Sequence, residues 1–174
     1  MNTNVKKLCL SALFLALGLI FTIVCRFFGP TVEQIILPMH IPVLLCSIIC
    51  GASYGVLIGL IMPLLASTLS GFPMFLPVAI ALSVELAVYG VLMHWMKQHL
   101  SLPIAMLVTI LLGRTVSGLL YLLLLGYQQQ TITLSIFISI AYITALPGCI
   151  LQWIMVPTLV KTVMHMKQQP KRIR

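Results

Sequence analysis

Two ionisable residues lie deep within apolar sequence: Glu85 in "ALSVELAVYG" and Arg114 in "ILLGRTVSGL". A lone charge at the centre of a bilayer costs roughly 2.5–3.5 kcal/mol on insertion scales, so each must meet an opposite charge or a polar ligand. On adjacent antiparallel helices the two fall at similar depth and are expected to pair, to hold a ligand, or to do both. His40 stands in "ILPMHIPVLL", bracketed by Pro38 and Pro42 at the start of an apolar run. There it is either a solvated or hydrogen-bonded interfacial side chain or the wall of an outward-facing pocket. Tyr89, Tyr121, Tyr142, Gln152 and Trp153 put polar tips on apolar bodies further along. The chemistry these types offer is non-covalent recognition: a mostly apolar site with a few placed hydrogen-bonding groups. Each also has the plainer reading of a core or interface-belt residue.

Other chemistries lack their residues. "GASYG" at 51–55 has the G-x-S-x-G spacing of a nucleophile elbow, but it joins two apolar helices where that motif needs a strand before it. The remaining histidines, His94, His99 and His165, fall at span ends, away from that serine. No G-x-x-x-x-G-K-[ST] occurs, so the chain has no P-loop with which to hydrolyse ATP. Cys9, Cys25, Cys46, Cys50 and Cys149 all lie in or beside apolar runs and read as buried small hydrophobes. No catalytic constellation, metal cluster or cofactor motif is expected.

The elements that must position these residues follow from composition. Hydrophobic residues make up 61% of the 174, charged residues 7%, and the mean hydropathy is +1.16. A water-soluble domain cannot cover that much apolar surface with so little polar surface. The chain therefore reads as an all-α integral membrane protein, one domain over 1–174, ending in a short basic tail at 166–174. With about 20 residues per crossing, six transmembrane helices are expected: Leu8–Phe28, Ile35–Cys50, Tyr54–Leu69, Val78–Met96, Ile104–Leu125 and Leu134–Val163. The first apolar run lacks a small-x-small cleavage site and is kept as a span.

The net charge of +8 reads as topology, not as nucleic-acid binding. Lys6, Lys7, Lys97, Lys161, Lys167, Lys171, Arg172 and Arg174 fall on one side of the membrane, against Arg26 on the other. Lys and Arg collect in the cytoplasm, so both termini are expected there, and the tail is placed to touch anionic lipid. The loops holding Glu33, Phe72 and Gln128 to Gln130 then face outward. Small residues at four-residue spacing mark close helix contacts: Gly51, Gly55 and Gly59, then Gly113 and Ser117, and Ala12 and Ala16 on the first helix. Pro38, Pro42, Pro63, Pro147 and Pro157 remove backbone donors within or beside spans, and such kinked helices often line a cavity.

Residues 37–90, "LPMHIPVLLCSIICGASYGVLIGLIMPLLASTLSGFPMFLPVAIALSVELAVYG", resemble the substrate-binding S components of energy-coupling factor (ECF) vitamin transporters. The matching features are the histidine–proline helix start, the glycine series, the "PLLASTLSGFP" turn and the "ELAVYG" segment. The resemblance implies outward capture of a water-soluble vitamin in a bacterial plasma membrane, with His40 at the mouth of the pocket. It also implies docking on a membrane coupling subunit through Ala12 and Ala16, and two cytosolic ATPase subunits that supply the energy. "LPMHIPVLL" and "ELAVYG" look most similar to pantothenate-type members. Its carboxylate would suit Arg114 or Arg26, and its hydroxyls Glu85 or His40. Three alternatives stay open: an S component for another small vitamin, a membrane scaffold with a structural Glu85–Arg114 pair, and a stand-alone transporter or channel.

Overall fold

The computed structural model describes residues 3–127, 142 and 145–168. Among the described residues, seven α-helices run in chain order: α1 (Thr3–Phe27), α2 (Pro30–Ile36), α3 (His40–Ile49), α4 (Ala52–Ser70), α5 (Ile80–His99), α6 (Leu102–Tyr127) and α7 (Leu146–Gln168). A one-turn π-helical segment, Phe75–Ala79, leads into α5. Four of the described stretches are long and apolar enough to cross a membrane: Thr3–Phe27, Ala52–Ser70, Phe75–His99 and Leu102–Leu124. These match the expected first, third, fourth and fifth spans.

The expected second span, Ile35–Cys50, is instead broken into two pieces. Gly29 at φ 109° opens α2 with Pro30 at its first turn, where the missing N–H has no intrahelical partner to lose. Leu37 then closes α2 in the left-handed region, φ 53°, its N–H donating to Glu33 O at 3.0 Å. Pro38 follows and cannot continue a helix, so the backbone turns and restarts as the short apolar α3 at His40. Leu37 is an uncommon residue for a positive φ. It is held there from outside: Gly148 of α7 packs so closely that an added Cβ would stand 2.7 Å from Leu37 Cδ1. Residues 134–141, 143 and 144 of the expected sixth span lie outside the described residues, as do Gln128 to Gln130; its described portion is α7.

Helix α5 is the hub, packing on α3, α4 and α6, while α1 lies on α3 and α4, and α7 on α2, α3 and α6. The α4–α5 contact is close enough for backbones to touch. A Cβ on Gly59 would sit 2.7 Å from Leu86 O, and one on Gly55 would sit 3.2 Å from Gly90 Cα. Ser47 of α3 uses the same approach, donating to Gly90 O at 2.5 Å. Gly51 is not part of that ridge; at φ 111° it forms the corner that opens α4. On α1 the buried face is Ser11, Gly18, Thr22 and Cys25, with Gly18 against Met62 and Pro42. Ala12 and Ala16 face the other way and are exposed.

At the end of the bundle where α3 stops, α5 supplies the terminating groups. Lys97 Nζ donates to Ile48 O, and His94 Nδ1 donates to Ser47 O at 3.4 Å. A cation at a helix C-terminus satisfies orphan carbonyls and complements the negative end of the dipole. At the opposite end Arg26, in the last turn of α1, bridges α2 and the loop after α4. Its guanidinium lies 3.6 Å from Glu33 Oε2 and 4.1 Å over the Phe72 ring. Burial raises the Glu33 carboxyl above its ordinary range, and the Arg26 charge draws it part of the way back.

Candidate functional site

Glu85 is the focus of the interior. It lies in the second turn of α5 with 3% exposure, among the buried residues Leu86, Tyr89 and Met93 of that helix. Arg114 of α6 brings its Nε to 3.1 Å from Glu85 Oε1. Tyr89, one turn along α5, donates its hydroxyl to the same oxygen at 3.1 Å, and His40 Nε2 reaches it at 3.3 Å. Ser117 of α6 donates to Oε2 at 2.7 Å. One carboxylate thus gathers three helices. The Tyr89 ring also stands edge-on to the His40 ring, centroids 5.4 Å apart.

Local packing explains the aim of these groups. Gly113 lies directly beneath the Tyr89 ring, where any Cβ would overlap it, so the residue before Arg114 makes room for the phenol to lie across α6. Arg114 and Ser117 are three apart and project from one side of α6. The left-handed corner at Leu37 turns His40 inward, and the His40 N–H donates to Leu37 O at 3.1 Å. His40 is accordingly 1% exposed: it is not solvated at the level of the loops but hydrogen-bonded to Glu85.

Several polar ends in this interior have no partner in hydrogen-bond geometry among the described residues. They are His40 Nδ1, Arg114 Nη2 and both amide atoms of Gln152. Arg114 Nε also points its N–H off-line from Glu85, so the pair is a charge contact more than an aligned hydrogen bond. Gln152 is 0% exposed on α7. Three residues before it, on the same face, Cys149 lies beside Arg114 and Glu85. Buried polar groups in folded proteins are almost always satisfied, so unmet valences on three helices are an unusual concentration. They mark a place able to take hydrogen bonds from a guest.

Of the expected residues, His40, Glu85, Tyr89 and Arg114 are brought together. Tyr121 is half-buried on α6, outside this cluster. Tyr142 is spent elsewhere, its hydroxyl 2.9 Å from Thr115 Oγ1. Trp153 is 46% exposed and donates to Pro103 O at 3.0 Å, which places it on the outside of the α6–α7 contact. The role expected of Ser117 is small-residue packing beside Gly113, yet it makes the shortest hydrogen bond to Glu85. Its spacing from Arg114 is the signal in the sequence that points there. Cys149, an inert thiol by sequence, stands at the guanidinium. Among the described residues no group of three or more metal-ligating side chains occurs.

The described residues also form a groove of about 260 Å³ away from this centre. It is lined by Leu17, Ile20 and Phe21 of α1, by Ile41 and Leu45 of α3, and by Met155 of α7. Its walls are apolar and would suit no charged guest.

Comparison with known families decides the identity: residues 6–163 match the family described as ECF transporter, substrate-specific component. The chain belongs to that family. No curated protein and no solved structure matches it significantly. An S component is the substrate-binding, non-catalytic subunit of an ECF transporter, a membrane protein that works with an energising module. That accounts for a chain without a P-loop, and it makes the Glu85 centre a candidate for the substrate's polar end.

Proposed function

We propose that this S component captures a water-soluble vitamin carrying a carboxylate and hydroxyl groups, with pantothenate the best fit. Capture is from the outer face of a bacterial plasma membrane. Delivery then follows docking on a membrane coupling subunit driven by two cytosolic ATPase subunits. The observation that carries this reading is the set of unmet polar ends in the interior that holds Glu85: a guanidinium nitrogen, an imidazole nitrogen and a carboxamide, on α6, α3 and α7. Arg114 supplies charge for a carboxylate. Gln152 supplies one donor and one acceptor for a hydroxyl or amide, and Tyr89 and the apolar α3 wall supply the body of the pocket. The exposed Ala12 and Ala16 support a docking face on α1, because small side chains allow a second helix to approach closely. The bias of Lys and Arg supports six crossings with both ends in the cytoplasm.

The test is thermal unfolding of the purified protein against a panel of B vitamins. A ligand at about 100 times its Kd adds roughly 2.7 kcal/mol of apparent stability by mass action. Pantothenate should give the largest upward shift. A larger shift with another vitamin would keep the capture role and replace the substrate. A second reading has its own observation: Glu85 already meets Arg114, Tyr89, His40 and Ser117, as a structural ion pair in a membrane scaffold would. A well-folded protein indifferent to every vitamin would favour that scaffold.

A further inference from the structure

We infer that a carboxylate ligand enters the Glu85 centre together with one proton, and that His40 takes it. The inference rests on the proposed role of this site in holding a carboxylate-bearing vitamin. It starts from a charge count. Glu85 and Arg114 are one negative and one positive charge in contact at 3.1 Å, and both are nearly inaccessible to solvent. With a neutral imidazole the centre sums to zero. A ligand carboxylate adds a negative charge to a closed volume, and an uncompensated buried charge is strongly unfavourable. Arg114 cannot cancel two carboxylates at once. One proton restores neutrality.

The groups facing His40 show where that proton can go. Glu85 and Tyr89 of α5 and Arg114 of α6 stand against it; Ser117 of α6 and Cys149 of α7 meet Glu85 and Arg114 behind them, and among the described residues neither α1 nor α4 brings a charged group to it. The phenol, the hydroxyl and the thiol already carry their protons, and the guanidinium is already charged. The oxygens of Glu85 are occupied as acceptors from Tyr89, Ser117 and His40. That leaves the imidazole. Because its Nε2 faces a carboxylate oxygen, Nε2 bears the hydrogen and Nδ1 presents a bare lone pair. Nδ1 is buried and has no partner among the described residues. Protonation there creates a new N–H donor at an unfilled position, and the resulting imidazolium lies between Glu85 and the incoming carboxylate. The ligand's own carboxyl is ionised throughout the neutral range, so the proton comes from solvent.

Isothermal titration of the purified wild-type protein with pantothenate, in two buffers of different ionisation heat, reads the proton directly. One proton taken up per ligand is expected. Affinity should weaken about tenfold per pH unit as pH rises above the range where the free imidazole is already charged. Pantothenol, in which a CH₂OH replaces the carboxylate, should bind without proton uptake and without a pH slope. His40→Gln, neutral at every pH, should bind pantothenate more weakly and without taking up a proton. Zero protons with wild type, equal uptake with pantothenol, or undiminished uptake in His40→Gln would each overturn the inference while leaving vitamin capture standing. Absence of binding by any vitamin to folded wild type would overturn the capture reading itself, and this inference with it.

Discussion

The Glu85–Arg114 pair can be made to reveal whether it serves structure, ligand or both. At 3.1 Å and an effective dielectric constant of about 20, the gross attraction is about 5 kcal/mol. Desolvation of both ions offsets much of this, so the net worth of the pair against apolar substitutes is small. Losing one partner is a different matter, because the survivor is left as an uncompensated buried charge. Arg114→Met should therefore destabilise by about 3–5 kcal/mol, and Glu85→Gln by a similar amount. The double variant Glu85→Gln/Arg114→Met contains no orphaned charge, and the carboxamide that replaces the carboxylate can accept from one of the Ser117 and Tyr89 hydroxyls with its oxygen and donate to the other with its NH2. Its stability should return to within about 1 kcal/mol of wild type, giving a coupling energy of several kcal/mol. Denaturant unfolding of all four proteins in mixed micelles measures the cycle, and vitamin titration of the folded double variant measures the site. Stability losses that simply add within about 0.5 kcal/mol would refute the pairing energetics. A restored double variant that still bound pantothenate like wild type would refute the ligand role.

Three further outcomes follow from particular contacts. Gly113→Ala places a methyl in the Tyr89 ring, so the phenol must leave Glu85; a loss of about 1–3 kcal/mol and weaker vitamin binding are expected, measured by unfolding and titration. Ala12→Trp with Ala16→Trp alters an exposed face of α1, so vitamin binding by the solitary subunit should be unchanged while uptake in cells is blocked; uptake persisting in a correctly folded double variant would remove the docking role. At Glu33 of α2, burial raises the carboxyl by more than the Arg26 charge lowers it, so the folded state binds its proton more tightly than the unfolded chain does. Stability tied to Glu33 is then lost as pH rises. Arg26→Gln should widen that loss as pH rises above the ordinary carboxylate range, by no more than about 1 kcal/mol for a part-exposed pair. A gap between variant and wild type that stays constant over that rise would contradict it.

Some of this is legible in the residues alone. Long apolar runs leave the backbone no alternative to helix in lipid, so the existence and rough limits of α1, α4, α5 and α6 follow from composition and length. Glu85 and Arg114 are legible for the same reason: hydrocarbon penalises each charge so heavily that two opposite ones on neighbouring helices have to meet. The break at Leu37 is not. Pro38 announces a disturbance, but whether the chain kinks or turns depends on the space Gly148 opens from more than a hundred residues away. The place of Cys149 beside Arg114 is hidden too, because a cysteine in an apolar helix looks alike whether it faces lipid, core or ligand. Sequence determined the solvent this protein lives in, the helices that follow, and which rare charges had to be reconciled. Only the packing decided which polar ends are consumed by one another and which are left open, since that depends on the rotation of each helix about its axis, and a few tens of degrees moves a side chain from a neighbour to a guest.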